Sequence, residues 1–226
     1  MLKIYLLRHG ETQHNLKHIV QGRGDSPLTI KGVRQVTCAG IGARNISFTA
    51  AYSGLLQRQI DTAKAFLSMN RDPISIQSDA HFNEMDYGKY DGGTYEDLLG
   101  PLYEELGLPY NGYEGLYKYY NDLEIAERLM RNDETGTFEG ADRVRKRFME
   151  GLEMIAQRYT EGNILVSTSS FAIVAVCSGL DPDALSRGLP ENASLTSLVY
   201  EEGRFFIERF GDISFRQNGE RLITSK

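Results

Sequence analysis

The residues with the most chemical capacity lie near the start of the chain, where Arg8-His9-Gly10-Glu11-Thr12 follows the apolar run Leu2 to Leu7. That run has the composition of a buried first strand. In an open α/β sheet, ligands gather beyond the carboxyl ends of the strands, so Arg8 and His9 arrive where chemistry is expected. An imidazole there can attack phosphorus, and a neighbouring guanidinium can grip phosphate oxygens in a bidentate manner. Gly10 lets the backbone turn sharply into the polar run Glu11 to Asn15. Taken alone, the triplet reads equally well as a strand end with a charged cap, and the decision rests on support from elsewhere.

That support comes in chain order. Gly22-Arg23-Gly24-Asp25-Ser26-Pro27-Leu28-Thr29 is a loop with a helix entry, and Gly32 follows three residues later. Ala51-Tyr52-Ser53-Gly54-Leu55-Leu56-Gln57-Arg58 carries a second arginine out of a second short strand, and Phe82-Asn83-Glu84-Met85-Asp86-Tyr87-Gly88 supplies a carboxylate. Together these segments resemble the histidine phosphatase superfamily, in its phosphoglycerate mutase-like branch, from Leu2 to about Gly92 and again from about Asn163 to Arg209. The resemblance implies phosphomonoester hydrolysis through a phosphohistidine at His9. Arg8 and Arg58 would stabilise charge on the non-bridging oxygens, with Asn15 a further donor. Glu84 would protonate the departing alcohol and later deprotonate the attacking water. Because the arginines carry the charge balance, neither a metal nor another cofactor is expected.

One departure stands out. Where the family has Ser-His-Gly after a buried strand, Ile164-Leu165-Val166 is followed here by Ser167-Thr168-Ser169-Ser170. Thr168 takes the place of the second histidine and Ser169 that of the glycine. All four histidines lie at positions 9, 14, 18 and 81, so no shift of alignment restores it. Thr168 and Ser169 are expected to bind phosphate through hydroxyls, and His14 or His81 are substitutes with no motif behind them. Losing one charge-stabilising donor typically costs about 10²–10³ in rate. Two readings follow: hydrolysis that is weak or altered, or a catalytically silent paralogue that binds a phosphorylated ligand or a protein partner. Phosphoglycerate mutase activity is a weaker third, since the mutases this chain resembles have a lysine eleven residues after the acid, where Tyr95 stands here.

The elements that position these residues alternate. Strands are expected at Leu2–Leu7, Thr49–Ser53, Pro73–Gln77 and Asn163–Ser167, and helices after Thr29, from about Leu56 to Met69, around Val144 to Tyr159, and from Phe171 to Ser178. Asp181-Pro182 reads as a helix entry, and Thr196–Tyr200 with Phe205–Phe210 as a hairpin. This alternation predicts an α/β three-layer sandwich with a mainly parallel sheet flanked by helices. One domain over 1–226 is expected, with a helical, Tyr-rich insertion at about 94–136 whose first helix breaks at Gly100-Pro101. Its tyrosines either pack a surface insertion or form a lid, with Tyr87 and Tyr95 as the candidate lid residues.

Composition narrows the partners. A net charge of −6 over 226 residues argues against nucleic acid, and no apolar run is long enough to span a bilayer. Cys38 and Cys177 lack zinc or redox spacing and are expected to stay reduced. The chain opens directly on a strand, which predicts no leader segment and a cytoplasmic location. The expected partner is a phosphorylated small molecule or a phosphate anion, with a homodimer left open.

Overall fold

The computed structural model describes residues 1–70 and 73–224. In chain order its main elements are β1 (Leu2–Arg8), α1 (Gln13–Leu16), α2 (Ile30–Gly42), β2 (Phe48–Ser53), α3 (Gln57–Leu67) and β3 (Ile76–Ser78). Three helices of the Tyr-rich stretch follow, α4 (Tyr95–Leu106), α5 (Gly112–Leu116) and α6 (Asp122–Arg131). The chain continues through α7 (Ala141–Arg158), β4 (Gly162–Thr168), α8 (Ser170–Leu180), β5 (Leu195–Glu201), β6 (Arg204–Asp212) and α9 (Ser214–Thr224). The strands form one sheet in the order β3-β2-β4-β1-β5-β6. β1 to β4 are parallel, and β5 and β6 extend the sheet as an antiparallel hairpin. This is the expected α/β sandwich with a mostly parallel sheet.

Alternation along β1 explains why its apolar run is nearly unbroken. Leu2, Ile4 and Leu6 face the layer holding Leu98, Ile125, Phe148 and Ile173, whereas Tyr5 and Leu7 face the layer holding Val36, Ala39 and Phe66. Both faces are covered, so both sets must be apolar. The register then places Arg8 beside Thr168 at the carboxyl ends of β1 and β4, and the His9 amide donates to the Thr168 carbonyl at 3.0 Å. His9 leaves the sheet where two parallel strands end together.

Two expectations need correction, and one element was unforeseen. α4 runs through Gly100 and Pro101 and ends at Gly107, whose φ of +66° makes it a left-handed cap. Burial of Leu98, Leu99 and Leu102 on one helix face outweighs the single hydrogen bond that proline removes. The third strand begins later than Pro73, at Ile76. No reading of the sequence anticipated α9, yet its Gly219 packs so closely on α2 that a Cβ there would lie 1.9 Å from the Cys38 carbonyl. The hairpin turn forms as expected, with Glu202 and Gly203 both at positive φ. Among the described residues, no helix is long and apolar enough to cross a membrane.

The turn after His9 rests on the first turn of α2. Thr29 caps that helix by accepting from the Gly32 amide at 2.9 Å, and its hydroxyl donates to Glu11 Oε1 at 2.8 Å. A Cβ on Gly32 would lie 2.0 Å from the Glu11 carbonyl, and one on Gly10 would lie 2.6 Å from the Gly32 carbonyl. The backbone following the histidine can therefore take its course only over a bare helix turn. Gly32→Ala is expected to cost about 1–3 kcal/mol, as overpacking does, and to lower the melting temperature by several degrees. An unchanged calorimetric transition would show that the turn is not seated on α2.

Candidate active site

His9 is buried, with its Nδ1 2.8 Å from the carbonyl of Gly10. A carbonyl only accepts, so Nδ1 carries the proton and Nε2 keeps its lone pair. Burial, reinforced by the positive charges of Arg58 and Arg8, holds the imidazole pKa well below its ordinary value. The ring is neutral at pH 7, in the protonation state of a nucleophile. Its backbone is held by three residues, because its amide donates to the Thr168 carbonyl, the Asn192 side-chain amide donates to the His9 carbonyl at 2.9 Å and the Ala193 amide donates to the carbonyls of Arg8 and His9.

The two arginines are fixed differently. Arg8 donates one terminal nitrogen to the Pro190 carbonyl. Arg58, in the first turn of α3, is 1% exposed and gives both terminal nitrogens to the 21–25 loop. They reach the carbonyls of Gln21, Gly22 and Gly24 at 3.2, 2.9 and 2.8 Å, and Asp25 Oδ1 at 3.1 Å. In both residues Nε is buried with no hydrogen-bond partner. Two unsatisfied guanidinium donors next to a neutral histidine are costly unless an anion completes them.

Glu84 is also buried. Its Oε1 accepts from the amides of Met85 at 2.9 Å and Ala172 at 3.0 Å, and its Oε2 from the amide of Phe171 at 3.2 Å. Burial raises its pKa despite these bonds and the nearby Arg58 charge, which favours the protonated acid. Its loop is held by Arg147 of α7, which donates to the carbonyls of His81, Asn83 and Glu84 at 2.8–2.9 Å while forming a two-point ion pair with Glu139. The carboxyl is thus set by backbone on one side and by a clamped guanidinium on the other.

Arg8, His9, Asn15, Glu84, Tyr87 and Tyr95 line one cavity of about 50 Å³, and Arg58 is not among its lining residues. Thr168 and Ser169 are placed differently from expectation. The Thr168 hydroxyl donates to the Phe82 carbonyl at 2.7 Å, and Ser169 Oγ accepts from Gln59 Nε2 at 3.0 Å. Both hydroxyls serve the framework, and Ser170 takes the cavity-facing position. His14 and His81 do not line the cavity; His81 pairs with Asp79 at 2.6 Å. Sequence reasoning missed Gln21, which lines the cavity with its Oε1 fixed by the hydroxyls of Thr12 and Ser26. Its place just before the Gly-rich loop was the available signal. Arg147, Glu139 and Asn192 had none, because their role exists only in the folded contacts.

The family model described as histidine phosphatase superfamily (branch 1) matches residues 4–213. The probable phosphoglycerate mutase GpmB of Salmonella choleraesuis (strain SC-B67) is 41% identical over 88 residues, which are 39% of this chain and 40% of that protein. The match therefore spans about two fifths of the length of that curated relative. Fructose-2,6-bisphosphatase TIGAR B of Danio rerio is 31% identical over 205 residues, covering 88% of this chain and 70% of the relative. Among solved structures, the phosphoglycerate mutase from Bacillus anthracis str. Sterne has a TM-score of 0.89 at 28% identity, covering 97% of this chain and 96% of that one.

The unpartnered Nε groups make a direct prediction. Phosphate or vanadate should raise the melting temperature, by an amount corresponding to about 2.7 kcal/mol at a hundredfold excess over Kd. Arg8→Ala should remove that rise, and equal shifts in both proteins would take Arg8 out of the anion site.

Proposed function

Because the chain belongs to the histidine phosphatase superfamily, we propose that it hydrolyses phosphomonoesters through a phosphohistidine at His9, without a metal. The observation that carries this reading is the neutral imidazole whose Nδ1 is spent on Gly10 and whose Nε2 is bare. Nε2 attacks phosphorus, the ester P–O bond breaks, and protonated Glu84 gives its proton to the leaving oxygen. Arg8, through the Nε donor left unpaired by the fold, stabilises the charge on the transferring group, and Arg58 adds positive charge from outside the cavity lining. Water then attacks the phosphohistidine, ionised Glu84 takes a proton from it, and phosphate departs as His9 returns to its neutral form. Hydrolysis rather than mutase chemistry is favoured because Tyr95 stands where the mutases have a lysine.

A second reading is a protein that binds a phosphorylated ligand without turnover. Its support is Thr168, which replaces the second histidine and whose hydroxyl is committed to Phe82. The partner is a phosphorylated small molecule or a phosphate anion in the first reading and a phosphorylated ligand or a protein in the second, in a single-domain protein whose Tyr-rich helices wall the pocket.

The kinetic test uses one alkyl and one aryl phosphate. His9→Ala should reduce both to background. An aryl leaving group needs little protonation, so Glu84→Gln should cost the alkyl ester about 10²–10⁴ and the aryl ester much less. Arg147→Met should show the same leaving-group bias through a misplaced Glu84. The acid must be protonated and its pKa is raised, so kcat/KM for the alkyl ester falls as pH rises through that raised value, and Glu84→Gln removes this limb. His9 must be neutral and its pKa is lowered, so no loss tied to imidazole protonation occurs near pH 6.5. Turnover that survives His9→Ala, or equal losses for both esters in Glu84→Gln, would defeat the assignment.

Thr168 separates the two readings. Thr168→His combined with Ser169→Gly restores a charged donor and room for it, and the gain should approach the roughly 10²–10³ of such a donor. If the double variant folds, binds vanadate and shows no turnover, the binding reading is the better one.

A further inference from the structure

On its lid side the active-site cavity has a second one as its neighbour. Tyr87, Tyr113 and Leu189 line both, and the smaller space beyond them, about 10 Å³, is closed by Phe171, aliphatic side chains of α6 and the carboxyl group of Asp122. That volume holds one water-sized group. Asp122 is 3% exposed, and one of its oxygens accepts from the Tyr117 hydroxyl at 3.0 Å. Among the described residues no cation pairs with it, and burial raises its pKa against the opposing hydrogen bond from that phenol.

Helix architecture does not account for this residue. Asp122 is the first residue of α6, but the cap is built by its neighbours. The Asn121 side chain accepts from the amides of Leu123 and Glu124, and Glu124 accepts in return from the Asn121 amide at 2.8 Å. Asp122 instead turns its carboxyl inward, into apolar and aromatic surroundings where a carboxylate is unfavourable without a partner. Burial and the charges of both Glu84 and Asp122 raise the pKa of Tyr87 and Tyr113 well above the ordinary phenol value. The two phenols that divide the cavities therefore stay un-ionised and close to both acids.

Building on the phosphatase reading, we propose that Asp122 is a specificity-determining residue that receives the ammonium group of the substrate's leaving group, so that the preferred substrates are phosphomonoesters of small amino alcohols. A buried carboxylate flanked by Tyr87, Tyr113 and Phe171 offers an alkylammonium both a counter-charge and aromatic faces. The same carboxylate repels a second phosphate or a carboxylate, which disfavours bisphosphates and phosphoglycerates. The small volume excludes sugars, nucleosides and quaternary ammonium heads. The two cavities share Tyr87, Tyr113 and Leu189, so the ammonium reaches Asp122 by passing between these side chains on a short chain from the ester oxygen.

The test is calorimetric binding to the His9→Ala chain, which holds esters without turning them over. O-phosphoethanolamine should bind about tenfold or more tightly than n-propyl phosphate, its uncharged analogue of similar size, equivalent to one added ion contact. Adding Asp122→Asn should bring the ratio to within about threefold. A ratio near one with Asp122 present, or one unchanged by Asp122→Asn, overturns the inference. If the double variant does not fold, the ratio in His9→Ala decides alone. Aryl phosphate turnover by the unsubstituted chain tests the other reading separately. Turnover without amine preference defeats only the Asp122 assignment, and amine-selective binding without turnover defeats only the phosphatase.

Discussion

Inside the cavity, His9 gives its Nδ1 proton to the carbonyl of the next residue, 2.8 Å away. This contact depends on the course the backbone takes through Gly10. That course brings Gly10 and Gly32 together without side chains, over the first turn of α2. The position of α2 in turn depends on Thr29, which caps the helix while holding Glu11. A tautomer is thus fixed by backbone geometry, and backbone geometry by two glycines and one cap. Nothing else in the pocket needs to move for Nε2 to be available.

The electrostatics of the pocket oppose one another in a useful direction. Burial disfavours charge on both His9 and Glu84, so the imidazole is held neutral and the carboxyl is drawn towards its protonated form. Two groups with separated roles then coexist in one small space. The fold gives one terminal nitrogen of Arg8 and both of Arg58 to backbone carbonyls while leaving each Nε unpaired. Rigid arginines lose little further freedom when an oxyanion arrives, which is the condition for electrostatic stabilisation to favour the transition state.

Much of this was legible in the sequence because it depends on local pattern. The apolar alternation of β1, the Arg8-His9-Gly10 turn, the Arg58 helix start and the Glu84 segment each lie within a few residues. The parallel sheet follows from strands alternating with helices. What escaped is set by distant partners. The hydroxyls of Thr168 and Ser169 looked like donors to the pocket, but Phe82 and Gln59 claim them across 86 and 110 residues of chain. Arg147 and Glu139 carry no motif, although they hold the loop that bears the acid. The break expected at Pro101 failed for the opposite reason, since a local rule yielded to burial of three leucines. Asp122 was invisible because an acid at the start of a helix is ordinary, and only the direction of its carboxyl sets it apart.

Nitrogen NMR of histidine-labelled protein can show whether His9 is neutral with a bare Nε2, and with four histidines in the chain each can be assigned by single substitution. His9 should stay in the Nδ1-protonated tautomer from pH 8 to below pH 6, with its Nε2 signal moving when vanadate is added. A His9 that titrates near its ordinary value, or that carries its proton on Nε2, would overturn the proposed chemistry.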